Sequence, residues 1–501
     1  KARENGARTV CIDPRLSMSA VALADEWIPI RPGTDAAMMS AMAYVIITEK
    51  LTDDDFIKKC CSGFDNSQMP EGCENEESYK EYILGTRDGI PKTPSWAEGI
   101  TAVPASTITR IAREYATIKP AVLYRDTDVN GSRPFYLWTA AILRGIERGP
   151  DVGVRGVEKL DNNIKLIWCI ASNILINQHS NINRTASIIR NEKLVEFIVV
   201  QDNFLTPSAM FADLVLPACT QFETWGVEDG WKYGEEVFLT PKIVEPPFET
   251  KSDYGICAGL AEKFGVWEEF TGGGRDEKAW ARWIIDEIYR NTRFPKMPSF
   301  SQLEKSNAGV YVRPVKEPKV TFSDFRKNPE KFPLKTPTGK IELFSKPLFD
   351  MKQPQEIPAV PKYITEWESP FGKEAEQYPL QAMGHHYMPR VHSTHNNNDW
   401  SMEAFPQLVF MNPADAGSRK IKNGDLVKVW NNRGALIAKC RVTSKIMPGV
   451  IDIPQGAWYK PGSDGVDTGG NINVLTTERW TALAKGNPQH TIMVQAEKYK
   501  G

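Results

Sequence analysis

The spacing of apolar positions along the chain changes near residue 380. Before that point, short apolar runs are followed by tight turns and then by stretches in which apolar residues recur with a helical period. In the first 155 residues this pattern predicts strands at residues 7–12, 26–31 and 121–124 and helices at residues 36–48 and 135–145. The succession of strand, turn and helix is typical of an α/β domain.

A second set of α/β elements follows from about residue 156. Strands are predicted at residues 164–171, 196–200 and 212–217, and amphipathic helices at residues 254–264 and 277–289. Residues 294–377 are rich in proline and lysine and show little periodicity. We therefore predict surface loops and a connector in that stretch.

From residue 380 the pattern becomes one of short strands separated by tight turns. Strands are predicted at residues 408–411, 426–430, 435–443 and 450–453, with turns such as Asn423-Gly424-Asp425 between them. This pattern of short strands and tight turns predicts a small β-barrel. The whole chain is thus predicted to be a multidomain α/β protein, with doubly wound α/β domains at residues 1–155 and 156–378 and a β-barrel at residues 379–501.

Composition narrows the possible partners. The net charge is −2, from 61 basic and 63 acidic residues, so no basic field is available and nucleic acid is not an expected partner. No apolar run reaches the roughly 18–20 residues that a membrane-spanning helix needs, and the first residues lack the apolar segment of a signal peptide. The eight cysteines include no C-x-x-C pair, so we expect no iron–sulfur cluster in this chain.

Two polar turns follow the first two predicted strands. Asp13 ends the first strand, where a carboxylate can accept hydrogen bonds from a ribose or a guanine edge; an ion pair with Arg15 or Arg31 accounts for it equally well. Pro32 and Gly33 precede the next helix, and glycine lets backbone amides approach a phosphate at a helix N-terminus. At this second turn a ligand is favoured over a plain turn.

Polar residues also follow two strands of the second α/β set. Asp202 lies at a strand tip four residues before Thr206, and is either a nucleotide contact or a cap for the next turn. The loop after the strand at residues 164–171 contains Ser172-Asn173 and Asn177-Gln178-His179-Ser180. Loops at this edge of an α/β sheet line ligand crevices, so this one is a second candidate binding segment.

Five of the six histidines lie in the last part of the chain: His385, His386, His392, His395 and His490. Small and amide residues surround them, which suits a polar, phosphorylated ligand held by many hydrogen bonds. Structural histidines and a zinc site are the alternatives. Zinc is disfavoured because His385 and His386 are adjacent and point to opposite faces of a strand, and because no H-E-x-x-H motif occurs.

Eight segments of the chain occur in the order found in one known family. They are C-I-D-P-R, D-E-W-I-P-I-R-P-G-T-D-A-A, N-Q-H-S-N-I-N-R-T, F-I-V-V-Q-D-N-F-L-T-P-S-A-M-F-A-D-L-V-L-P, G-H-H-Y-M-P-R-V-H-S-T, I-M-P-G-V, Q-G-A-W-Y and K-G-N-P-Q-H-T. Each is modest alone, but the ordered set extends over nearly the whole chain. Together they resemble the catalytic subunit of the dimethyl sulfoxide reductase family of molybdenum enzymes, above all its three-subunit bacterial members.

The resemblance implies a cofactor in which two molybdopterin guanine dinucleotides hold one molybdenum. By this resemblance, one dinucleotide contacts Asp13, Arg15, Pro32, Gly33 and Asp35, and the cofactor face includes Asn173, Gln178 and His179. The guanosine of the other dinucleotide contacts Asp202 and Thr206. The barrel side is expected to contribute Gly384, His385, His392, Ser393, Thr394, Asn487 and Gln489.

The resemblance also implies an activity and partners. The expected reaction is the two-electron reduction of a small S-oxide or N-oxide, such as dimethyl sulfoxide, in anaerobic respiration. Electrons are expected from an iron–sulfur subunit with a membrane anchor subunit beyond it, which places the chain in the bacterial periplasm or at the membrane. The alternatives are reduction of selenate or another oxoanion, a non-catalytic pterin-binding fragment, and a zinc hydrolase.

The chain departs from the family pattern in two places. The family extends further at its amino end, where it carries a twin-arginine signal, four cysteines for a [4Fe–4S] cluster and the serine that binds molybdenum. None of these is present in this sequence, so no metal ligand is assigned. Residues 124–156 also lack the glycine-rich loop and the L-T-G-N motif of the family, so we expect different cofactor contacts there.

Overall fold

The computed structural model describes residues 3–118, 137–147, 152–154, 156–230, 236–306, 309–314, 320–483, 486 and 490–500. The described strands are β1 (Val10–Ile12), β2 (Glu26–Ile28), β3 (Cys61–Ser62), β4 (Leu166–Ile170), β5 (Phe197–Asp202), β6 (Leu214–Pro217), β7 (Gly226–Asp229), β8 (Glu236–Thr240), β9 (Val310–Val312), β10 (Ile341–Glu342), β11 (Leu380–Met383), β12 (Leu408–Met411), β13 (Leu426–Trp430), β14 (Ala435–Val442), β15 (Val450–Asp452) and β16 (Ile492–Lys498). The described α-helices are α1 (Met18–Leu23), α2 (Asp35–Thr48), α3 (Asp54–Cys60), α4 (Tyr79–Leu84), α5 (Pro94–Thr101), α6 (Ala105–Thr117), α7 (Trp138–Arg144), α8 (Ile182–Ile189), α9 (Asp253–Lys263), α10 (Trp267–Thr271), α11 (Glu277–Trp283), α12 (Arg290–Thr292), α13 (Phe300–Lys305), α14 (Ser323–Lys327), α15 (Lys346–Asp350), α16 (Asp399–Ala404) and α17 (Pro413–Ser418).

The chain divides into two compact units. The first unit consists of Lys1–Asp161, Asn177–Ala186 and Thr321–Gly501, and the second unit consists of Asn162–Ile176 and Ser187–Val320. The predicted domain boundaries, at residues 1–155, 156–378 and 379–501, stay a prediction.

The first unit begins with two short parallel strands, β1 and β2, followed by helix α2. The start of α2 is set by Gly33, whose φ of +80° turns the chain, and by Thr34, whose hydroxyl donates to the carbonyl of Arg31 at 2.7 Å. Met38 and Val45 of α2 are buried against α5 and α6. Burying each such side chain stabilises the fold by about 1.5–3 kcal/mol, which holds the preceding turn in place.

The first unit ends in a closed barrel of six strands in the order β11-β15-β12-β14-β13-β16. The β11–β15 and β12–β14 pairs are parallel, and the remaining pairs are antiparallel. Along β13, Val427 and Val429 are fully buried while the residues on either side are not, which is the pattern of a strand with one face in a barrel core. The predicted β-barrel is confirmed, and its closure gives a firm base for the loops that carry the predicted site residues.

The segment after β1 pairs with a loop of the barrel within this first unit. The N–H of Leu16 donates to the carbonyl of Lys445 at 2.8 Å, and the N–H of Met447 donates to the carbonyl of Pro14 at 3.2 Å. These main-chain bonds hold the Asp13-Pro14-Arg15 turn against the end of the barrel. Two regions that are far apart in sequence therefore form one surface.

The second unit contains a parallel three-stranded sheet in the order β4-β5-β6. Val200 in β5 is fully buried, and the strand ends at the polar residue Asp202. A separate antiparallel sheet, β7-β8-β9, packs on α11 and α13 through Val237 and Phe300. The parallel sheet agrees with the predicted α/β character of this part of the chain.

The prediction that residues 294–377 form surface loops and a connector is wrong. The stretch contains α13, α14, α15, β9 and β10, and Phe294, Phe300 and Phe344 are buried. Phe344 packs with Cys73 and Tyr82 in the first unit. The prediction failed because these aromatic residues stand singly, without a period of 2 or 3.6, and are buried as separate anchors of irregular chain.

Other predicted elements differ mainly at their ends. The barrel strands at residues 408–411 and 426–430 have the predicted bounds, whereas the first strand begins only at Val10. Helix α11 continues into a π-helical segment at Ile284–Tyr289. The strand predicted at residues 121–124 lies outside the described residues.

Among the helices that the structure describes, none combines the length and apolar character needed to cross a membrane.

Candidate functional site

A buried carboxylate joins the turn after β1 to the barrel. Asp452 on β15 has no exposed surface. Its Oδ1 lies 2.8 Å from Nδ1 of His385, and its Oδ2 lies 3.2 Å from Nε of Arg15. Asp452 was not predicted from the sequence. One signal for it was available: it lies inside the apolar run V-I-D-I, and a carboxylate that is buried needs a partner.

Asp13 uses its side chain to shape its own turn. One of its carboxylate oxygens accepts the N–H of Arg15 at 2.7 Å, and its carbonyl accepts the indole N–H of Trp27 at 2.8 Å. Burial raises the pKa of Asp13, and the nearby carboxylates of Asp452 and Asp35 add to the rise, while Arg15 opposes it. Within the described part of the chain, the second carboxylate oxygen of Asp13 has no hydrogen-bond partner and can accept one from a ligand.

The turn before helix α2 faces one end of the barrel. The side-chain N–H of Gln381 donates to the carbonyl of Pro32 at 3.3 Å. The side-chain oxygen of Gln381, Oε1, is buried and has no hydrogen-bond partner among the described residues. Asp35 lies in the first turn of the helix. Glu366 lies against Gly33, and burial raises the pKa of Glu366 to about 7. This turn therefore combines a helix N-terminus with a carboxyl group that ionises near neutral pH.

The histidine-rich loop has an unusual backbone. His392 and His395 have positive φ values of +53° and +71°, which are uncommon for residues other than glycine. A methyl group added to Gly456 would lie 1.7 Å from the carbonyl oxygen of His392, so only glycine fits there. The carbonyl of Ser393 accepts the indole N–H of Trp458 at 2.7 Å. The loop is therefore held in a strained form by its contacts with residues 456–458.

A buried arginine fixes the start of this loop. Arg390 donates to Asn396 Oδ1 at 2.6 Å, to Gln407 Oε1 at 2.7 Å and to the carbonyl of Gln455 at 3.0 Å. Burial lowers the pKa of Arg390 to about 10. Its guanidinium also lies over the ring of Tyr387. Arg390 was missed in the sequence because a buried structural arginine cannot be told from an exposed one by its neighbours.

The predicted barrel-side residues differ in exposure. Gly384 is buried, and a methyl group on it would lie 3.2 Å from Ile472. Ser393 is buried, whereas Thr394 is exposed and donates its N–H to the carbonyl of Val391 at 3.0 Å. His386 does not join His385 at Asp452; its ring packs against that of His392 with centroids 4.9 Å apart. Asn487 and Gln489 lie outside the described residues.

His179 is enclosed by protein rather than presented on a surface. Its Nδ1 lies 2.8 Å from both the carbonyl oxygen of Ser180 and the hydroxyl of Thr185, and its Nε2 lies 3.5 Å from the hydroxyl of Thr139. The side chain is only 1% exposed. The neighbouring Gln178 is half-buried and forms no hydrogen bond to the described residues. Of this pair, Gln178 is better placed to meet a ligand.

A buried amide network lies next to these residues in the first unit. Oδ1 of Asn177 accepts the N–H of Tyr459 at 2.9 Å and an amide N–H of Asn471 at 3.0 Å, and its carbonyl accepts from Asn473 at 2.9 Å. Nδ2 of Asn177 is buried and has no partner among the described residues. The network fixes residues 459–473 against the segment that contains Gln178.

The second unit holds the remaining predicted site residues. Oδ1 of Asn173 accepts both the N–H and the hydroxyl of Ser208, at 3.0 and 2.8 Å. The hydroxyl of Thr206 accepts the N–H of Ala209 at 3.3 Å. Burial raises the pKa of Asp202 at the end of β5. Asn173 and Thr206 thus have roles in shaping turns, and Asp202 lies at the sheet edge where ligands of parallel sheets bind.

The structure brings the candidate residues of the first unit into three groups. The first group consists of Asp13, Arg15 and His385 near Asp452. The second consists of Pro32, Gly33 and Asp35, which lie near Gln381 and Glu366. The third consists of His392, Ser393 and Thr394. Within the described residues, no three His, Cys, Asp or Glu side chains converge in a way that could hold a metal ion. The grouped side chains are suited to hydrogen bonding with a polar organic ligand.

Comparison with known protein families identifies the class of protein to which the chain belongs. Residues 1–263 match the family described as molybdopterin oxidoreductase, and residues 380–493 match the molydopterin dinucleotide binding domain. The chain is 39% identical to the dimethyl sulfoxide reductase DmsA of Haemophilus influenzae, over 99% of this chain and 69% of that protein. By these matches, the chain belongs to the molybdopterin oxidoreductases and, within them, to the dimethyl sulfoxide reductase family.

Further relatives have related names. DmsA of Escherichia coli is 39% identical over 99% of this chain and 68% of its own length. The dimethyl sulfoxide/trimethylamine N-oxide reductase of Cereibacter sphaeroides is 30% identical over 100% of this chain and 68% of its own length. Among solved structures, acetylene hydratase from Pelobacter acetylenicus has a TM-score of 0.70 and 21% identity, and the match covers 99% of this chain and 75% of that one. That likeness shows the fold alone.

The side chains of the first unit fit a molybdenum–pterin cofactor. Pterins and nucleotide phosphates need many donors and acceptors, and Gln381 Oε1 and Asn177 Nδ2 are buried atoms whose hydrogen bonds are not met by the described protein. Leaving such an atom unmet costs about 1–3 kcal/mol, so a polar ligand that satisfies it binds with that advantage. The guanidinium of Arg15, whose Nη atoms have no hydrogen bond to the described residues, suits a phosphate.

Proposed function

We propose that the chain reduces a small S-oxide or N-oxide, such as dimethyl sulfoxide, as a molybdenum-dependent oxidoreductase. The observation that carries this proposal is the 39% identity, over 99% of the chain, to a protein named dimethyl sulfoxide reductase. The relative named for both dimethyl sulfoxide and trimethylamine N-oxide supports the breadth of the substrate class.

The bound form of the cofactor is proposed to be the bis(molybdopterin guanine dinucleotide) of molybdenum. When bound, the group supplies two-electron redox chemistry at the metal. Asp13, at the end of β1, would accept hydrogen bonds from one dinucleotide, and Asp202, at the end of β5, from the guanosine of the other. Arg15 and the N-terminus of α2 at Gly33 would donate to phosphates.

The barrel side would hold the cofactor through its loops. Gln381 on β11 offers a buried side-chain oxygen, and Ser393 lies in the loop fixed by Trp458. Outside the barrel, Gln178 offers an amide on the segment that Asn177 holds. Because these loops are anchored by buried hydrogen bonds, they lose little freedom when a ligand binds, which favours retention. The protein's part is therefore to orient the cofactor and to exclude water from it.

The electron route is also a proposal. Reduction of an oxide consumes two electrons and two protons, and the chain has no C-x-x-C pair with which to relay electrons over a distance. We propose an iron–sulfur partner subunit with a membrane anchor subunit, a [4Fe–4S] cluster in a part of the protein outside this sequence, and a periplasmic location in anaerobic respiration. The two DmsA relatives are longer than the matched region, which covers 69% and 68% of their lengths.

Metal and nucleotide analysis of the purified protein, followed by a turnover assay, tests the proposal. We expect molybdenum in the protein, GMP after acid hydrolysis, and oxidation of reduced viologen with dimethyl sulfoxide or trimethylamine N-oxide as acceptor. Zinc without pterin in the purified protein would contradict the proposal and would favour a zinc hydrolase. Turnover with selenate alone would favour the oxoanion alternative, and full cofactor without turnover would favour a pterin-binding fragment.

A further inference from the structure

The buried carboxylate of Asp452 has two partly exposed partners, Arg15 and His385. Its Oδ1 lies 2.8 Å from Nδ1 of His385, and its Oδ2 forms an ion pair with Arg15, 3.2 Å from Nε, but accepts no hydrogen bond from the described residues. Each partner keeps nitrogen atoms that have no hydrogen bond to the described residues: Nε2 of His385 and both Nη atoms of Arg15. The side chains of Arg15 and His385 are 20% and 13% exposed, so these atoms are at the edge of the buried region.

The geometry of the histidine is fixed from more than one side. Its ring meets the rings of Tyr387 and Phe410 at centroid distances of 5.6 and 5.9 Å, both edge-on. Phe410 is also the residue paired with Asp452 across the β12–β15 ladder. A carboxylate accepts but does not donate, so the atom of His385 that faces Asp452 must carry the proton. In a neutral imidazole, Nε2 is then a hydrogen-bond acceptor.

We infer that Asp452 is a positioning residue for the dinucleotide: it holds Arg15 as a donor and His385 as an acceptor on one surface. The inference rests on the proposed function, since that function supplies the ligand. Arg15 is directed to an anionic or carbonyl oxygen, such as a phosphate, and Nε2 of His385 is directed to an N–H or O–H of the same ligand. The diphosphate of a dinucleotide carries no O–H and cannot donate to Nε2, whereas the sugar, base and pterin parts of the same ligand carry O–H and N–H groups.

Two substitutions separate the two contacts. Asp452→Asn keeps an oxygen that can accept from His385 but removes the charge that pairs with Arg15. Asp452→Ala removes both contacts. Asp467→Asn is the matched control, because Asp467 is also fully buried near the barrel but accepts only main-chain N–H groups, those of Lys460, Gly469 and Asn471. It reports the combined cost of losing a buried charge and one acceptor oxygen, with no side-chain partner lost.

The first readout is the rate at which bound dinucleotide leaves the protein, measured as GMP that remains with the chain over time. We expect release to be roughly threefold faster in Asp452→Asn and roughly tenfold faster in Asp452→Ala. In a background with His385→Phe and Arg15→Met, Asp452→Ala should accelerate release no further, because its effect acts through those two residues. Equal acceleration in that background would overturn the inference.

The second readout needs no bound dinucleotide and so separates this inference from the proposed function. Nitrogen NMR of the protein labelled in its histidines, with His385 assigned through His385→Gln, reports which ring nitrogen carries the proton. At pH 8 we expect the Nδ1–H tautomer in the wild type and in Asp452→Asn, and a shift to Nε2–H in Asp452→Ala. An Nε2–H tautomer or an imidazolium in the wild type would overturn the inference even if GMP is present.

Discussion

Gly33 lies directly against Glu366. A methyl group built on Gly33 would be 2.6 Å from Oε1 of Glu366 and 2.7 Å from its Cγ. Oε1 is buried and has no hydrogen-bond partner among the described residues. Burial raises the pKa of this carboxyl to about 7, and it lies beside the N-terminus of α2, where the sequence predicts a phosphate. An ionised Glu366 and a phosphate at Gly33 would repel each other, so the charge on Glu366 matters for both stability and binding.

The first prediction concerns stability and pH in Glu366→Gln. Because the pKa of Glu366 is about 7 in the folded protein and the ordinary pKa of a glutamate carboxyl is 4.5, the folded protein binds the proton more tightly than the unfolded chain. Stability is therefore lost as pH rises from about 4.5 to about 7. The amide cannot ionise, so the variant should gain about 1–2 kcal/mol over the wild type at pH 8, allowing for the partial exposure of the group, and much less at pH 5.

Thermal unfolding at pH 5 and pH 8 measures this effect. Glu374→Gln serves as the control. It alters an exposed carboxyl eight residues further along the chain and should shift the melting temperature little at either pH. A difference between wild type and Glu366→Gln that is the same at both pH values would contradict the raised pKa.

The second prediction compares Gly33→Ala with Gly72→Ala. The two glycines have φ values of +80° and +78°, but an added methyl group at Gly72 meets nothing within 4 Å. Both variants carry the strain of a positive φ, of order 1 kcal/mol. Only Gly33→Ala must also displace Glu366 and the methyl group of Thr491, which lies 2.9 Å from the added carbon, so it should lose a further 1–3 kcal/mol or so of unfolding free energy and retain less GMP. Equal losses in the two variants would show that Glu366 does not lie where the structure places it.

Prediction from the sequence succeeded where the chain repeats a simple period. The barrel strands alternate buried and exposed residues, and Val427 and Val429 occupy the positions that this alternation predicts. The helix at α2 was found because its start is marked by Gly33 and its length is filled with apolar residues. Single anchors such as Phe344, which are buried without a repeating neighbour, left no such pattern.

The site was predictable only in part, for a physical reason. Arg15 and His385 were singled out by residue type and by resemblance, but that they meet at one point depends on Asp452. A contact between distant segments is set by the packing of the barrel, and no local spacing encodes it. Arg390 was hidden for the same reason, since its three acceptors lie on separate loops.

The third prediction concerns the backbone of the histidine-rich loop. Gly456→Ala would place a methyl group 1.7 Å from the carbonyl oxygen of His392, so the loop must move. We expect a loss of about 2–4 kcal/mol of unfolding free energy, faster proteolysis of the loop, and a lower molybdenum content. Gly424→Ala is the control: its φ of +87° is similar to the +89° of Gly456, but its added methyl group meets nothing within 4 Å. A stable Gly456→Ala protein with full metal content would separate this loop from the cofactor.

The last prediction contrasts two adjacent residues, Gln178 and His179, which the family resemblance places on the cofactor face. His179 is buried and bound on both ring nitrogens by Ser180, Thr185 and Thr139. A substitution at His179 removes these contacts. The hydroxyl of Thr185 still donates to the carbonyl of Ser180 at 3.2 Å, but any buried group that is left without a hydrogen bond costs about 1–3 kcal/mol. His179→Ala should therefore lower the melting temperature of the protein whether or not the cofactor is bound.

Gln178 should behave in the opposite way. It is half-buried and, within the described residues, has no hydrogen-bond partner to lose. Gln178→Ala should change the stability of the cofactor-free protein by less than about 0.5 kcal/mol but lower the GMP and molybdenum retained by the loaded protein. Melting temperatures of the cofactor-free proteins, measured beside molybdenum per chain in the loaded ones, distinguish a structural residue from a ligand contact. If Gln178→Ala retains full molybdenum, the segment at residues 177–180 supports the barrel through Asn177 and makes no contact with the cofactor.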